Sequence, residues 1–108
     1  MLQIPTGEYH ERLERLRRSV RGAGLDLFIV SAFDSIYYLT GAGFEPLERP
    51  FFLLVRPDTE RPPVLLVPRL DCEHMRRNAR TVPAEAVHSY GEYPAPAGRR
   101  WQIGRAHV

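Results

Sequence analysis

Lysine is absent from this 108-residue sequence and cysteine occurs once. All fifteen basic side chains are arginine, which reads as codon usage in a GC-rich genome before it reads as function. The arginines are spread along the chain among thirteen acidic residues. A nucleic-acid binder gathers its cations on one face and adds aromatics for stacking, so the spread favours a solvated surface. A lone Cys72 makes no internal disulfide, and nothing points to an oxidising compartment. No apolar run has the length of a membrane span. The opening MLQIPTGEYHERL has no basic stretch followed by an apolar one, so no signal peptide is expected and the cytoplasm is the default location. No internal repeat is visible.

The length suits one domain with a real core. Its organising stretch is Asp26 to Val55. Leu27, Phe28, Ile29 and Val30 leave no polar face, which predicts a strand covered on both sides, and Phe51 to Val55 reads the same way. Between them a short helix is expected, capped by Asp34 and closed by Gly41 and Gly43. Upstream, Tyr9, Leu13, Leu16 and Val20 fall on one face of a helix over about residues 7–22. Its other face carries three acid-to-base pairs four residues apart, Glu8 with Arg12, Glu11 with Arg15 and Glu14 with Arg18. Downstream, the turn Arg56 to Pro63 leads to a strand over Val64 to Val67, which should form an antiparallel hairpin with the strand before it. A helix over Cys72 to Ala79, capped by Asp71, and a last strand over Thr81 to Tyr90, entered through Pro83, complete the series. The predicted class is α/β, a small mixed sheet flanked by helices.

From Gly91 the run EYPAPAGRRWQ is rich in proline and glycine and reads as a linker. The domain is therefore expected over residues 1–93, with the start of an interdomain linker at 94–102. The last six residues, Ile103 to Val108, match the translation of a sequencing adaptor, ATC GGA AGA GCA CAC GTC, which is followed by a stop codon. Residues 103–108 are on that reading an assembly artefact, and the natural frame runs on beyond Gln102.

Among residues with chemistry, His10 and His88 read as surface or strand-edge histidines, and Cys72 as a packing residue. Cys72 and His74 stand two apart, which on a helix points them to different sides. Of the adjacent Tyr37 and Tyr38, at least one is expected in the core. Arg49 is the candidate functional side chain. It stands in a loop with Glu45, Pro46 and Glu48, where its guanidinium would pair either with a substrate carboxylate or with Glu45 or Glu48.

The opening helix with Glu8-Tyr9 and Arg12-Leu13, the run Gly24 to Val30, the segment Asp34-Ser-Ile-Tyr-Tyr-Leu-Thr-Gly41, and Leu66-Val-Pro-Arg-Leu-Asp71 come in a characteristic order. Over roughly residues 7–93 this layout resembles the N-terminal domain of the creatinase, prolidase and aminopeptidase P family. The resemblance implies a non-catalytic α/β unit of a metal-dependent Xaa-Pro peptidase. A missing C-terminal catalytic domain would hold a dinuclear divalent metal (Mn, Co or Zn) on two Asp, one His and two Glu, and act on short peptides. It also implies a homodimer in which this domain shapes the active-site mouth, with no metal or catalytic residue of its own. Creatinase-like members reach their substrate with an aromatic and an arginine two residues later. The positions here are Leu47 and Arg49, so the arginine is kept, the aromatic is lost, and a peptidase-like relative is favoured over a creatine-cleaving one. The alternative is a free-standing α/β ligand-binding or interaction module that uses the loop from Tyr37 to Arg49.

Overall fold

Helix α1 (Thr6–Gly22) starts where Pro5, with its fixed extended backbone, hands over to Thr6, and the Glu8 amide donates to the Pro5 carbonyl. The coordinates are a computed structural model that describes residues 4–44 and 49–91. Tyr9, Leu13 and Val20 are buried as the periodicity predicts, while Leu16 is half-buried and Arg17 takes a place in the interior. The helix closes through Leu25 N–H to Val20 C=O at 3.1 Å and Gly24 N–H to Arg21 C=O at 3.0 Å, with Gly24 in the left-handed region at φ 73°.

Strand β1 (Phe28–Val30) takes up all of the predicted apolar run but Leu27, and helix α2 (Phe33–Thr40) follows after two residues. Asp34 does not cap α2. The cap position is Ala32, with no side-chain hydrogen bond, and Asp34 sits in the first turn, where its charge faces the positive end of the helix. The C-terminus is closed as predicted. Gly41 adopts φ 79° and donates to the Tyr37 carbonyl at 2.8 Å. Three further carbonyls at this end are satisfied. Thr40 Oγ1 donates to Ile36, Thr81 Oγ1 to Leu39 at 2.8 Å, and the Arg80 amide to Thr40 at 2.7 Å.

Strands β2 (Phe52–Val55) and β3 (Val64–Pro68) form the predicted antiparallel hairpin. A 3-10 turn (Arg69–Asp71) leads into α3 (Cys72–Asn78), and Asp71 gives it no side-chain cap. Of the expected last strand only β4 (Val87–Tyr90) is extended, because Ala84–Ala86 form a second 3-10 turn after Pro83. The sheet order is β1-β2-β3-β4, with β1 and β2 antiparallel and β4 parallel to β3. The α3 crossover makes that parallel pairing possible.

The registers place Phe28, Val30, Leu53, Val55, Leu65 and Val87 on one sheet face. Of these, all but Phe28 join one buried cluster with Leu13 of α1, Ile36 and Leu39 of α2, and Cys72 and Met75 of α3. All three helices therefore cover the same face. The expectation of strands covered on both sides fails among the described residues, because the apolar runs mark strands that have a half-open second face. Of the predicted ion pairs, Glu8 with Arg12 forms at 3.3 Å. Glu14 turns instead to Arg17, at 2.6 Å, because Arg17 is drawn inward to the 56–63 turn. Arg17 is only 4% exposed and donates through Nη2 to the Arg61 carbonyl, while its Nε has no partner. Arg21 ties the same turn at the Pro57 carbonyl, 2.7 Å away. Among the described residues no helix is long and apolar enough to cross a membrane.

Candidate functional site

The loop between α2 and β2 carries Arg49, and aromatic rings hold its base. Phe44 and Phe51 stack with centroids 3.7 Å apart and an interplanar angle of 10°, and Phe33 meets Phe44 edge-on at 4.9 Å. Phe51 is 2% exposed, so the returning arm of the loop is fixed in the core. Two hydrogen bonds add to the ring stack. Tyr90 Oη donates to the Pro50 carbonyl at 2.9 Å, and His74 Nε2 lies 2.7 Å from the Gly43 carbonyl. His74 must carry its proton on Nε2 to make that bond, which leaves Nδ1 as an acceptor for the Asn78 amide at 3.3 Å. The chain on both sides of the loop is held in place, and Arg49 projects from it exposed and with a contact of its own. Glu45, Pro46, Leu47 and Glu48 lie outside the described residues, as do the linker at 94–102 and the hexapeptide at 103–108.

A second feature is an open groove of about 550 Å³ between α1, β1 and α2, lined among others by Arg12, Arg15, Leu16, Phe28, Tyr38 and Leu39. One wall is a cation on aromatic rings. The Arg12 guanidinium lies 4.2 Å from the centre of the Tyr38 ring and 5.0 Å from that of Tyr9, and donates to the Tyr38 carbonyl at 2.9 Å. Arg80 approaches the Tyr9 ring at 5.2 Å. Arg15 is fully exposed and its pKa is raised, chiefly by the hydrogen bond to Tyr38 Oη. This groove escapes the sequence reading because its residues come from three segments.

Tyr37 and Tyr38 are each 48% exposed, so neither is a core residue. The core side of α2 is taken by Ile36, Leu39 and Thr40, and the tyrosines stack on Phe33 and Arg12 respectively. Cys72 is buried and His74 exposed, on different sides of the helix as expected. His10 and His88 are exposed. Among the described residues no three His, Cys, Asp or Glu side chains come together in a way that could hold a metal ion. A dinuclear centre of two Asp, one His and two Glu does not fit the residues described here.

The comparisons with known proteins agree with this arrangement. The family model of the creatinase/prolidase N-terminal domain matches residues 12–103. No curated protein matches the chain. Among solved structures, the creatinase N-type superfamily domain of a dipeptidase from Streptococcus thermophilus is 30% identical, with a TM-score of 0.68 over 90% of this chain and 66% of that one. A proline dipeptidase from Streptococcus agalactiae is 28% identical, with a TM-score of 0.69 over 92% of this chain and 67% of that one. The dipeptidase PepE from Mycobacterium ulcerans, 20% identical, shares the fold with a TM-score of 0.68 over 94% of this chain and 26% of its own. The chain thus spans about two thirds of the streptococcal chains and a quarter of the mycobacterial one. With its mixed four-stranded sheet and a family match over most of its length, the chain belongs to the creatinase/prolidase N-terminal domain family.

Proposed function

We propose that this domain is the non-catalytic N-terminal part of a metal-dependent Xaa-Pro peptidase-like hydrolase. The observation that carries the reading is the family match over residues 12–103, together with solved relatives described as domains of dipeptidases. In the parent the domain contributes to a homodimer and narrows the active-site mouth to short peptides. Catalysis and the dinuclear divalent metal belong to a following domain of the parent, a reading supported by a relative in which the matched region is 26% of the chain. Arg49, exposed on a loop whose base is stapled by Phe44 and Phe51, is the residue that would meet a peptide carboxylate with a two-pronged hydrogen bond. The lone Cys72 suits a reducing compartment, and the cytoplasm is the proposed location.

The test begins at the gene. Long-read sequencing through the codon for Gln102 should find an open frame that continues into a domain with two Asp, one His and two Glu. The restored protein, loaded with Mn, Co or Zn in turn, should hydrolyse Xaa-Pro dipeptides and leave creatine intact. A frame that stops after Val108 refutes the reading. The groove of about 550 Å³ beside Arg12 and Tyr38 favours the second reading, a free-standing binding module, which would then take its place.

A further inference from the structure

Arg49 is followed by a proline, which leaves few torsions to set the direction of its backbone. Phe51 is 2% exposed and stacked on Phe44, so the returning arm of the loop is anchored there. Between Phe51 and Arg49 the peptide bonds are planar and the Pro50 ring fixes its own φ. The soft torsions that remain are φ of Phe51 and ψ of Pro50, and the peptide plane between them carries the Pro50 carbonyl. Tyr90 Oη donates to that carbonyl at 2.9 Å. One hydrogen bond thus sets the plane, and with it both torsions. Arg49 adds little freedom of its own, because a residue before proline is pushed to the extended region. The donor is well held, for Tyr90 ends β4, is half-buried and stands in register with Pro68 of β3. Pro50 is exposed, so water can satisfy its carbonyl, and the hydroxyl acts on geometry more than on stability.

We propose that Tyr90 is a positioning residue for Arg49. Its hydroxyl fixes the backbone from which the guanidinium leaves the loop, so that only side-chain rotamers remain to be ordered when a carboxylate binds. The ligand class rests on the functional reading of Arg49 as the residue that meets a peptide carboxylate with two parallel N–H groups. A mount that is rigid in advance lowers the entropic cost of binding. It also suits a planar fork, whose paired donors tolerate misplacement less well than a point charge does. The rigidity of the mount is a property of this chain alone, whereas its use depends on the peptidase reading, so each can fail without the other.

Nuclear magnetic relaxation of the isotopically labelled 108-residue chain gives the backbone order parameters of Arg49 and Phe51 in the native, Tyr90→Phe, Pro50→Ala and His88→Ala forms. The native Arg49 amide should lie near the ~0.85 of rigid backbone and fall below about 0.6 in Tyr90→Phe, while Phe51 stays rigid. Pro50→Ala keeps the Tyr90 hydroxyl but frees φ at position 50, so it should lower the Arg49 value as well. His88→Ala, an exposed change on the same strand, should leave both values alone. An Arg49 amide that is mobile in the native chain, or that stays rigid in either of the first two variants, overturns the proposal. So does a loss of order at Phe51 in Tyr90→Phe, which would make the tyrosine a packing residue. In the restored full-length peptidase, Tyr90→Phe should raise KM for Xaa-Pro dipeptides about two- to tenfold at unchanged kcat. In an Arg49→Ala background it should raise KM no further, because the mount then carries nothing. An equal factor in both backgrounds overturns the proposal. An Arg49→Ala enzyme with the native KM refutes the functional reading of Arg49 instead, and the order parameters then decide the positioning by themselves.

Discussion

Replacing Gly41 by alanine tests whether the end of α2 depends on backbone geometry, on close packing, or on both. At φ 79° an alanine must adopt the left-handed region, which costs about 1–2 kcal/mol. Its Cβ would also stand 3.0 Å from Tyr9 Cζ, 3.2 Å from Tyr9 Cε2 and 3.3 Å from Arg80 Cδ. The arginine stem can move aside, but Tyr9 is 4% exposed and its ring centre has the guanidinium groups of Arg12 and Arg80 at 5.0 Å and 5.2 Å. Overpacking of this kind adds about 1–3 kcal/mol, so the substitution should cost about 2–5 kcal/mol in all. For a domain of this size that is a fall in Tm of about 8 °C or more. Gly24 separates the two contributions, for it has φ 73° and nothing within 4 Å of an added Cβ. Gly24→Ala should therefore cost only the backbone share, about 1–2 kcal/mol. Gly7, inside α1 with open space around it, should become slightly more stable as alanine, by up to about 1 kcal/mol. Urea denaturation of the three variants gives the ranking directly. Equal losses for Gly41→Ala and Gly24→Ala would refute the contact with Tyr9, and a stable Gly41→Ala would refute the whole account.

Arg17 should tolerate methionine better than alanine. The carbonyl of exposed Arg61 and the half-exposed Glu14 can turn to water, and methionine keeps the buried stem, so denaturation should show a change within about 1 kcal/mol for Arg17→Met against a loss of about 2–3 kcal/mol for Arg17→Ala. Phe51→Ala should cost about 3–5 kcal/mol, because it removes a fully packed ring and the stack on Phe44 together, and circular dichroism melts will show whether the domain survives. In the restored full-length peptidase, Arg49→Ala should raise KM for dipeptides at least tenfold, and Arg49→Lys should recover less than half of that loss in binding energy, because an ammonium lacks the paired donors. Between pH 5 and 9 Arg15 should leave stability unchanged. Its folded pKa is raised, so whatever it contributes is complete below the ordinary arginine value and is lost only as pH climbs through the folded one, which pH-dependent melts can verify.

Elements legible in the sequence are those whose signals are local. The spacing of Tyr9, Leu13 and Val20 is enough to place α1, the glycine at position 41 to end α2, and the proline-rich turn at 56–63 to pair β2 with β3 antiparallel. Capping was less legible, because a side-chain cap depends on the backbone angles of one residue. Asp34 and Asp71 each stand near a helix start without bonding to it. Arg17 illustrates a different limit. An arginine within a charged helix reads as solvent-facing, and only the approach of the Arg61 carbonyl from 44 residues away gives its guanidinium a reason to be inside.

The site divides along the same line. Arg49 could be singled out from its loop, but the features that would make it useful are contacts that only the fold makes: Phe51 and Phe44 stacked beneath the loop, Tyr90 holding Pro50 from β4, and His74 at Gly43 from α3. Each of these contacts spans a fold-dependent distance, and His74 is the instructive one. From its neighbours alone it is the second half of a Cys-Glu-His triplet with no evident partner. In the fold its Nε2 meets the carbonyl at the loop's first turn, and Asn78, one helical turn further on, fixes the tautomer needed for that bond. The open sheet face has the opposite history. Its apolar residues were visible at once as strands with no polar side, and that pattern implied two covers. The described fold provides one of them, so the unmet half of the implication is itself an observation about the molecule. Among the described residues Ile29, Phe52, Leu54 and Leu66 stay apolar on the face away from the helices, Ile29 54% exposed and the other three half-buried, so an unbroken apolar run marks a strand without counting the layers over it.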